Sequence, residues 1–69
     1  MKITSTEELG KYIKDKRKKQ GYTQKEISDY TGYSASFISQ LENGKASVEF
    51  GRTLHLANML GLDFFVEER

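Results

Sequence analysis

The chain contains no cysteine, so neither a disulfide nor a thiolate metal site can staple it. It contains no proline either, and with charged residues at 30% it suits a mostly helical polypeptide. His55 is the only histidine. It falls inside a predicted helix between Leu54 and Leu56, where a lone histidine reads as a surface or packing residue rather than a base. A second histidine, a glycine-rich phosphate cradle and a Ser/His/Asp set are all missing, so metal and nucleophilic chemistry lack raw material. Asp15, Glu26 and Asp29 give no sign of a shared pocket. The expectation is a non-enzyme that uses no cofactor and no metal. Absent too are an apolar run long enough to span a bilayer and a signal-peptide core. A soluble, cytoplasmic protein with no membrane partner is expected.

Sixty-nine residues make one domain, 1–69. A chain this short buries only about 60% of its unfolded surface. Tight helix packing and oligomerisation are the staples left to it. It shows no internal repeat and no low-complexity segment. The net charge of +1 decides nothing, but its distribution is uneven. Residues 1–25 carry eight Lys/Arg and three Asp/Glu, a balance of +5, whereas 26–69 carry three and seven, a balance of −4. One basic surface facing a polyanion fits this map. A plain alternative is that Lys14-Asp15-Lys16-Arg17-Lys18-Lys19 is the solvated outside of a helix.

Capping signals and periodicity predict four helices. Ser5-Thr6-Glu7-Glu8 has the form of an S/T-x-x-E start, so helix 1 opens near Thr6. Leu9, Ile13 and Arg17 mark its inner face with Tyr12 beside them, and Gly21 stops it. Thr23-Gln24-Lys25-Glu26 fits a capping box, which starts a second helix running from about Gln24 to Tyr30. Gly32 reverses the chain without a Cβ penalty. Ser34 then offers an N-cap for a third helix from about Ala35 to Asn43, closed by Gly44. Ile27, Ile38 and Leu41 supply the apolar side that locks the pair. Two short helices joined by a glycine turn, about 23–43, make a helix-turn-helix, which presents its second helix to the major groove of DNA. Ser47 is expected to cap helix 4, with Phe50, Leu54, Ala57 and Leu60 on its inner face and Gly61 closing it. Residues 62–67 are aromatic and β-branched, apolar at 62, 64 and 66, and predict a strand.

The stretches LGKYIKDKRKKQGYTQKEIS and SASFISQLENGK resemble the XRE/Cro type of helix-turn-helix repressor, over residues 9–61. ENGKASVEFGRTLHLANMLGLD further resembles HipB-like antitoxin repressors. Ser28 and Tyr33 depart from the pattern, standing where the family usually has Ala and a small β-branched residue. Tyr33 enlarges the turn and is expected near the DNA surface. The resemblance implies an all-α fold with a small β addition: a four-helix lambda-repressor-like domain whose fifth helix is replaced by a C-terminal strand. It also implies a transcriptional repressor that binds an inverted-repeat operator in double-stranded DNA as a homodimer. The HipB likeness adds a HipA-like kinase toxin as a further partner. The alternative is a module of the same fold that docks a protein without reading DNA. Gln24, Gln40, Asn43 and Lys45 argue against it.

By resemblance and by periodicity the third helix is the recognition helix, with Ala35, Ser36, Ser39 and Gln40 as base-contact candidates. Gln40 can pair bidentately with adenine, Ser36 and Ser39 hydrogen-bond to either partner, and Ala35 can touch a thymine methyl. Small polar residues also simply keep an exposed helix soluble. Gln24, at a helix N-terminus that favours a phosphate, should clamp the DNA backbone with Thr23. Lys25, Asn43 and Lys45 flank the same surface as further phosphate candidates, which set register rather than sequence preference. Thr23 and Asn43-Gly44 also have plain capping roles. Phe37 either packs on the second helix or lies against the sugar-phosphate backbone. The resemblance implies a structural ion pair between Arg17 and Glu42. Arg17 falls on an apolar helix face, where an unpaired charge is costly, whereas Glu42 lies near a helix end where it can reach water.

The predicted strand has no partner within the chain except the Lys2-Ile3 segment, and a lone edge strand leaves backbone groups unpaired. Pairing with the same strand of a second copy satisfies both. It would put Leu62, Phe64 and Val66 on a shared apolar face and Phe65 on the other. The alternative is that Phe64 and Phe65 fold back on helix 4.

Overall fold

The computed structural model describes residues 2–69. Four helices follow one another: α1 (Thr6–Lys19), α2 (Gln24–Thr31), α3 (Ala35–Glu42) and α4 (Phe50–Met59). Each start has a chemical cause. The Ser5 side chain accepts the Glu8 N–H at the head of α1. At α2 the capping box is complete: the Thr23 hydroxyl takes the Glu26 N–H at 3.0 Å, and the Glu26 carboxylate takes the Thr23 N–H at 2.9 Å. Ser34 caps α3 by accepting the Phe37 N–H at 3.0 Å. Gly32 closes α2 in the left-handed region at φ 82°, which only glycine enters freely.

One core joins all four helices, built from Ile13, Ile27, Ile38, Leu41, Leu56, Ala57 and Leu60. Leu9, Tyr33, Phe37, Val48 and Leu62 pack against it. The α1–α3 crossing is close because residue 10 is glycine. A Cβ there would overlap the Leu41 carbonyl oxygen and sit 2.8 Å from that of Glu42. The head of α1 is also tied to the end of α3, since the Thr6 hydroxyl donates to the Gly44 carbonyl at 2.8 Å.

The expected limits of α3 and α4 are corrected. Ser47 does not cap α4. Glu49 does, its carboxylate taking the Gly51 N–H at 2.7 Å and the Arg52 N–H at 2.9 Å, and two orphan donors satisfied by a carboxylate outweigh one satisfied by a hydroxyl. The inner face of α4 is therefore Thr53, Leu56, Ala57 and Leu60, with Leu54 half-buried and Phe50 exposed. Thr53 tolerates burial because its hydroxyl donates to the Glu49 carbonyl at 2.9 Å. Asn43 is the C-cap of α3 rather than its last helical residue, and Gly44 makes the left-handed turn.

At the C-terminus the single chain forms no strand. Within the single chain residues 62–69 form no regular structure, and neither does Lys2-Ile3. A strand at 62–67 needs a ladder partner, and among the described residues none is offered. The Leu62 N–H donates to the Ala57 carbonyl at 2.9 Å, and its side chain is half-buried on the core. Beyond it Phe65 is 86% and Val66 98% exposed, so Phe65 does not fold back on α4.

Candidate nucleic-acid interface

The frame of the helix-turn-helix is a buried charge cluster. Arg17 binds Glu42 through two contacts, Nε to Oε2 at 2.7 Å and Nη2 to Oε1 at 2.9 Å. This is the planar fork that an arginine makes with a carboxylate. Its third nitrogen, Nη1, donates to the Tyr22 carbonyl at 2.6 Å. The Gln24 amide donates to Glu42 Oε1 at 3.0 Å. Four segments thus meet on one carboxylate and one guanidinium: α1, the α1–α2 loop, the head of α2 and the end of α3. Hydrogen bonding to Glu42 holds the Arg17 guanidinium above its ordinary pKa, against the opposing effect of burial. The Glu42 side chain is only 2% exposed and that of Arg17 8%. Glu42 therefore does not reach water, because Arg17 and Gln24 enclose it from two sides.

On this frame α3 turns two different faces. Ile38, Leu41 and Glu42 point inward, and Phe37 is half-buried against the core. Ala35, Ser36 and Gln40 are exposed and Ser39 is half-buried. At 100° per residue these four fall on one arc opposite the buried side. The candidate base-contact residues therefore share a face, on which Ser39 alone is half-buried.

Of the candidate phosphate residues, Gln24 is tied to α3 through its side chain. The Gln24–Glu42 bond sets the head of α2 against the last turn of α3. Gln24 is half-buried and spends one amide hydrogen on Glu42, which leaves the second for another acceptor. Thr23 and Asn43 are exposed. Lys45 is exposed just past α3, its N–H donating to the Gln40 carbonyl at 3.0 Å. Lys25 pairs with Asp29 at 3.2 Å, both side chains largely in solvent. Such an exposed pair is worth about 0.3–0.5 kcal/mol and yields readily to a stronger anion.

Tyr33 departs from expectation. Its phenol turns away from the exposed face of α3 to α4, where its hydroxyl meets His55 Nδ1 at 2.6 Å. The ring packs on Phe37 at 5.5 Å and meets the His55 ring edge-on at 5.8 Å. The hydroxyl of Ser28, the other departure, donates to the Tyr33 carbonyl at 2.6 Å. Nothing in the sequence pairs residues 33 and 55, which come together only because α4 packs across the turn. The same holds for Gln20, whose amide donates to the Leu60 carbonyl at 2.7 Å.

Residues 13–65 match the family model described as "Helix-turn-helix". No curated protein sequence is significantly similar to the chain. Two solved structures superpose over nearly all of it. The HipB chain of a "HipB-O4 20mer complex" gives a TM-score of 0.87 at 25% identity, covering 99% of this chain and 96% of that one. A HipB serine-to-alanine variant in complex with an O2 20mer gives 0.88 at 25% identity, covering 99% and 94%. The chain belongs to the helix-turn-helix family of DNA-binding regulators, of the XRE type and with HipB-like architecture.

Proposed function

We propose that the protein is a sequence-specific transcriptional repressor that binds an inverted-repeat operator in double-stranded DNA as a homodimer, in the cytoplasm. The observation that carries this reading is the exposed face of α3, where Ala35, Ser36 and Gln40 lie free on a helix locked by its other side. In this reading Gln40 pairs with adenine, Ser36 and Ser39 hydrogen-bond to base edges, and Ala35 meets a thymine methyl. Thr23, Gln24, Lys25, Asn43 and Lys45 grip phosphates on either side and fix the register. The solved neighbours, HipB bound to O4 and O2 20mers, support a nucleic-acid ligand, which we take to be operator DNA.

Dimerisation is assigned to residues 62–67 of two copies, paired antiparallel about a two-fold axis. The backbone beyond Leu62, unpaired among the described residues, and the exposure of Phe65 and Val66 support it. Leu62 already leans on its own core, so Phe64 and Val66 carry the shared apolar face and Phe65 the opposite one. The HipB likeness extends the reading to an antitoxin that neutralises a HipA-like kinase toxin. That role is tested by co-purification with the product of a neighbouring kinase-like reading frame.

The DNA reading is tested by selecting duplexes from a randomised pool with the full chain and measuring their binding by mobility shift. Recovery of an inverted repeat with half-sites one helical turn, about 34 Å, or a multiple apart is expected. A pool that converges on no sequence would overturn the reading.

A further inference from the structure

We propose that Tyr33 and His55 form a positioning node that fixes the pose of the recognition helix, so that operator discrimination depends on two residues that touch no DNA. The inference rests on the DNA-binding reading above.

The recognition helix α3 has only eight residues, about 12 Å of rise. Its C-terminal end is pinned through Glu42 to Arg17 and Gln24. A rod held at one end still swings at the other, and the free end would be the one carrying Ala35 and Ser36. Tyr33 sits directly before the N-cap Ser34 and is fastened to three helices at once. Its carbonyl accepts the Ser28 hydroxyl at 2.6 Å, and its N–H donates to the Thr31 hydroxyl at 3.2 Å, both on α2. Its ring rests on Phe37 of α3. Its hydroxyl reaches His55 of α4. With the imidazole proton on Nε2, Nδ1 is the acceptor the phenol needs. The His55 ring also stands edge-on to the Tyr33 ring, so one contact is both polar and aromatic.

The contact is solvent-exposed, and its weight lies in geometry. Groove-reading groups must be held within about 0.5 Å of productive positions. Gln40, two residues from the pinned Glu42, is less sensitive to the node than Ser36 at the other end. Random DNA asks only for phosphate contacts, and these belong mainly to residues near the Glu42 end.

The test measures binding of Tyr33→Phe, His55→Ala, His55→Gln and the Tyr33→Phe/His55→Ala double variant. The probes are the duplex selected by the wild-type chain and a scrambled duplex of equal length. Tyr33→Phe keeps the ring and removes only the hydroxyl. Each of Tyr33→Phe and His55→Ala should weaken binding to the selected duplex about five-fold, the size of one modest hydrogen bond, and leave the scrambled duplex unchanged. The double variant should lose no more than the worse single one, because both break one contact. His55→Gln, which keeps an acceptor, should recover most of the loss. Wild-type binding by Tyr33→Phe would overturn the proposal. Equal loss on both duplexes would also overturn it, since that would place the phenol on a phosphate. Failure of the wild-type chain to select any sequence strikes the DNA reading itself and is read before the variants are made.

Discussion

At the scale of single residues the Arg17–Glu42 pair shows why burial, not helix position, sets the cost of a mutation. Glu42 lies at the end of α3, but its side chain is less exposed than that of Arg17. Removing either partner strands a buried charge, an expense of roughly 3–5 kcal/mol. Arg17→Met and Glu42→Ala should therefore both lower the urea midpoint strongly, with no advantage for Arg17→Met. The Arg17→Met/Glu42→Leu double variant should recover much of the loss, since an apolar pair of similar volume leaves no charge behind. Unchanged midpoints for both single variants would mean that the pair contributes nothing. Gln40 and Lys45 are exposed and should act on binding rather than on folding. Gln40→Ala is expected to cost roughly 1–3 kcal/mol on the selected duplex and to relax one base position. Lys45→Ala should weaken selected and scrambled duplexes alike and reduce the salt slope by about 1. Titrations at several salt concentrations separate the two patterns.

At the scale of elements the contacts between helices decide what a small substitution does. Gly10 lies against two α3 carbonyls, whereas nothing stands within 4 Å of a Cβ at Gly21. Gly10→Ala must push α1 off α3 and should cost roughly 1–3 kcal/mol. Gly21→Ala meets only the left-handed strain of φ +81°, about 1 kcal/mol. Thermal melts of the two should separate in that order. Helix α4 carries a pH signature. The N–H groups of Arg52 and Gly51 hold the Glu49 carboxyl below its ordinary pKa. A depressed folded-state pKa stabilises above the unfolded value, and the gain is lost as pH falls through the folded one. Glu49→Gln should therefore melt below wild type at neutral pH and converge with it in acid. A constant gap at every pH would mean that the cap does not depend on charge. Capping motifs of α1, α2 and α3 were legible in the chain because their partners lie three residues apart. The cap of α4 is not legible in this way, because Glu is not among the favoured N-cap residues, and Glu49 takes the role only where the packing of Thr53 and Leu56 sets the register.

For the whole molecule the exposed C-terminal segment is the open valence. Truncation after Leu62 keeps that side chain on the core and the bond to Ala57 and removes residues 63–69, which hold the rest of the segment assigned to pairing. Sedimentation at micromolar concentration should show a dimer for the full chain and a monomer for the truncated one. The monomer should bind half-sites weakly, since the linked second half-site is lost. A truncated chain that remains dimeric and binds the full repeat would move the interface elsewhere.

The sequence by itself determined the helices, the turn and the helix-turn-helix, because caps, glycine turns and 3.6-residue periodicity are written within a few residues of one another. It also marked most of the outward face of α3, since a helix with Ile38 and Leu41 inside must turn Ala35, Ser36 and Gln40 out. Tertiary structure alone decided the start of α4, the enclosure of Glu42, the engagement of Gln24 and the turning of Tyr33 toward His55. Each depends on groups 18 or more residues apart, or on which of two faces a neighbour covers. Residues 62–67 lie beyond both, because a strand needs a second backbone and among the described residues none pairs with them.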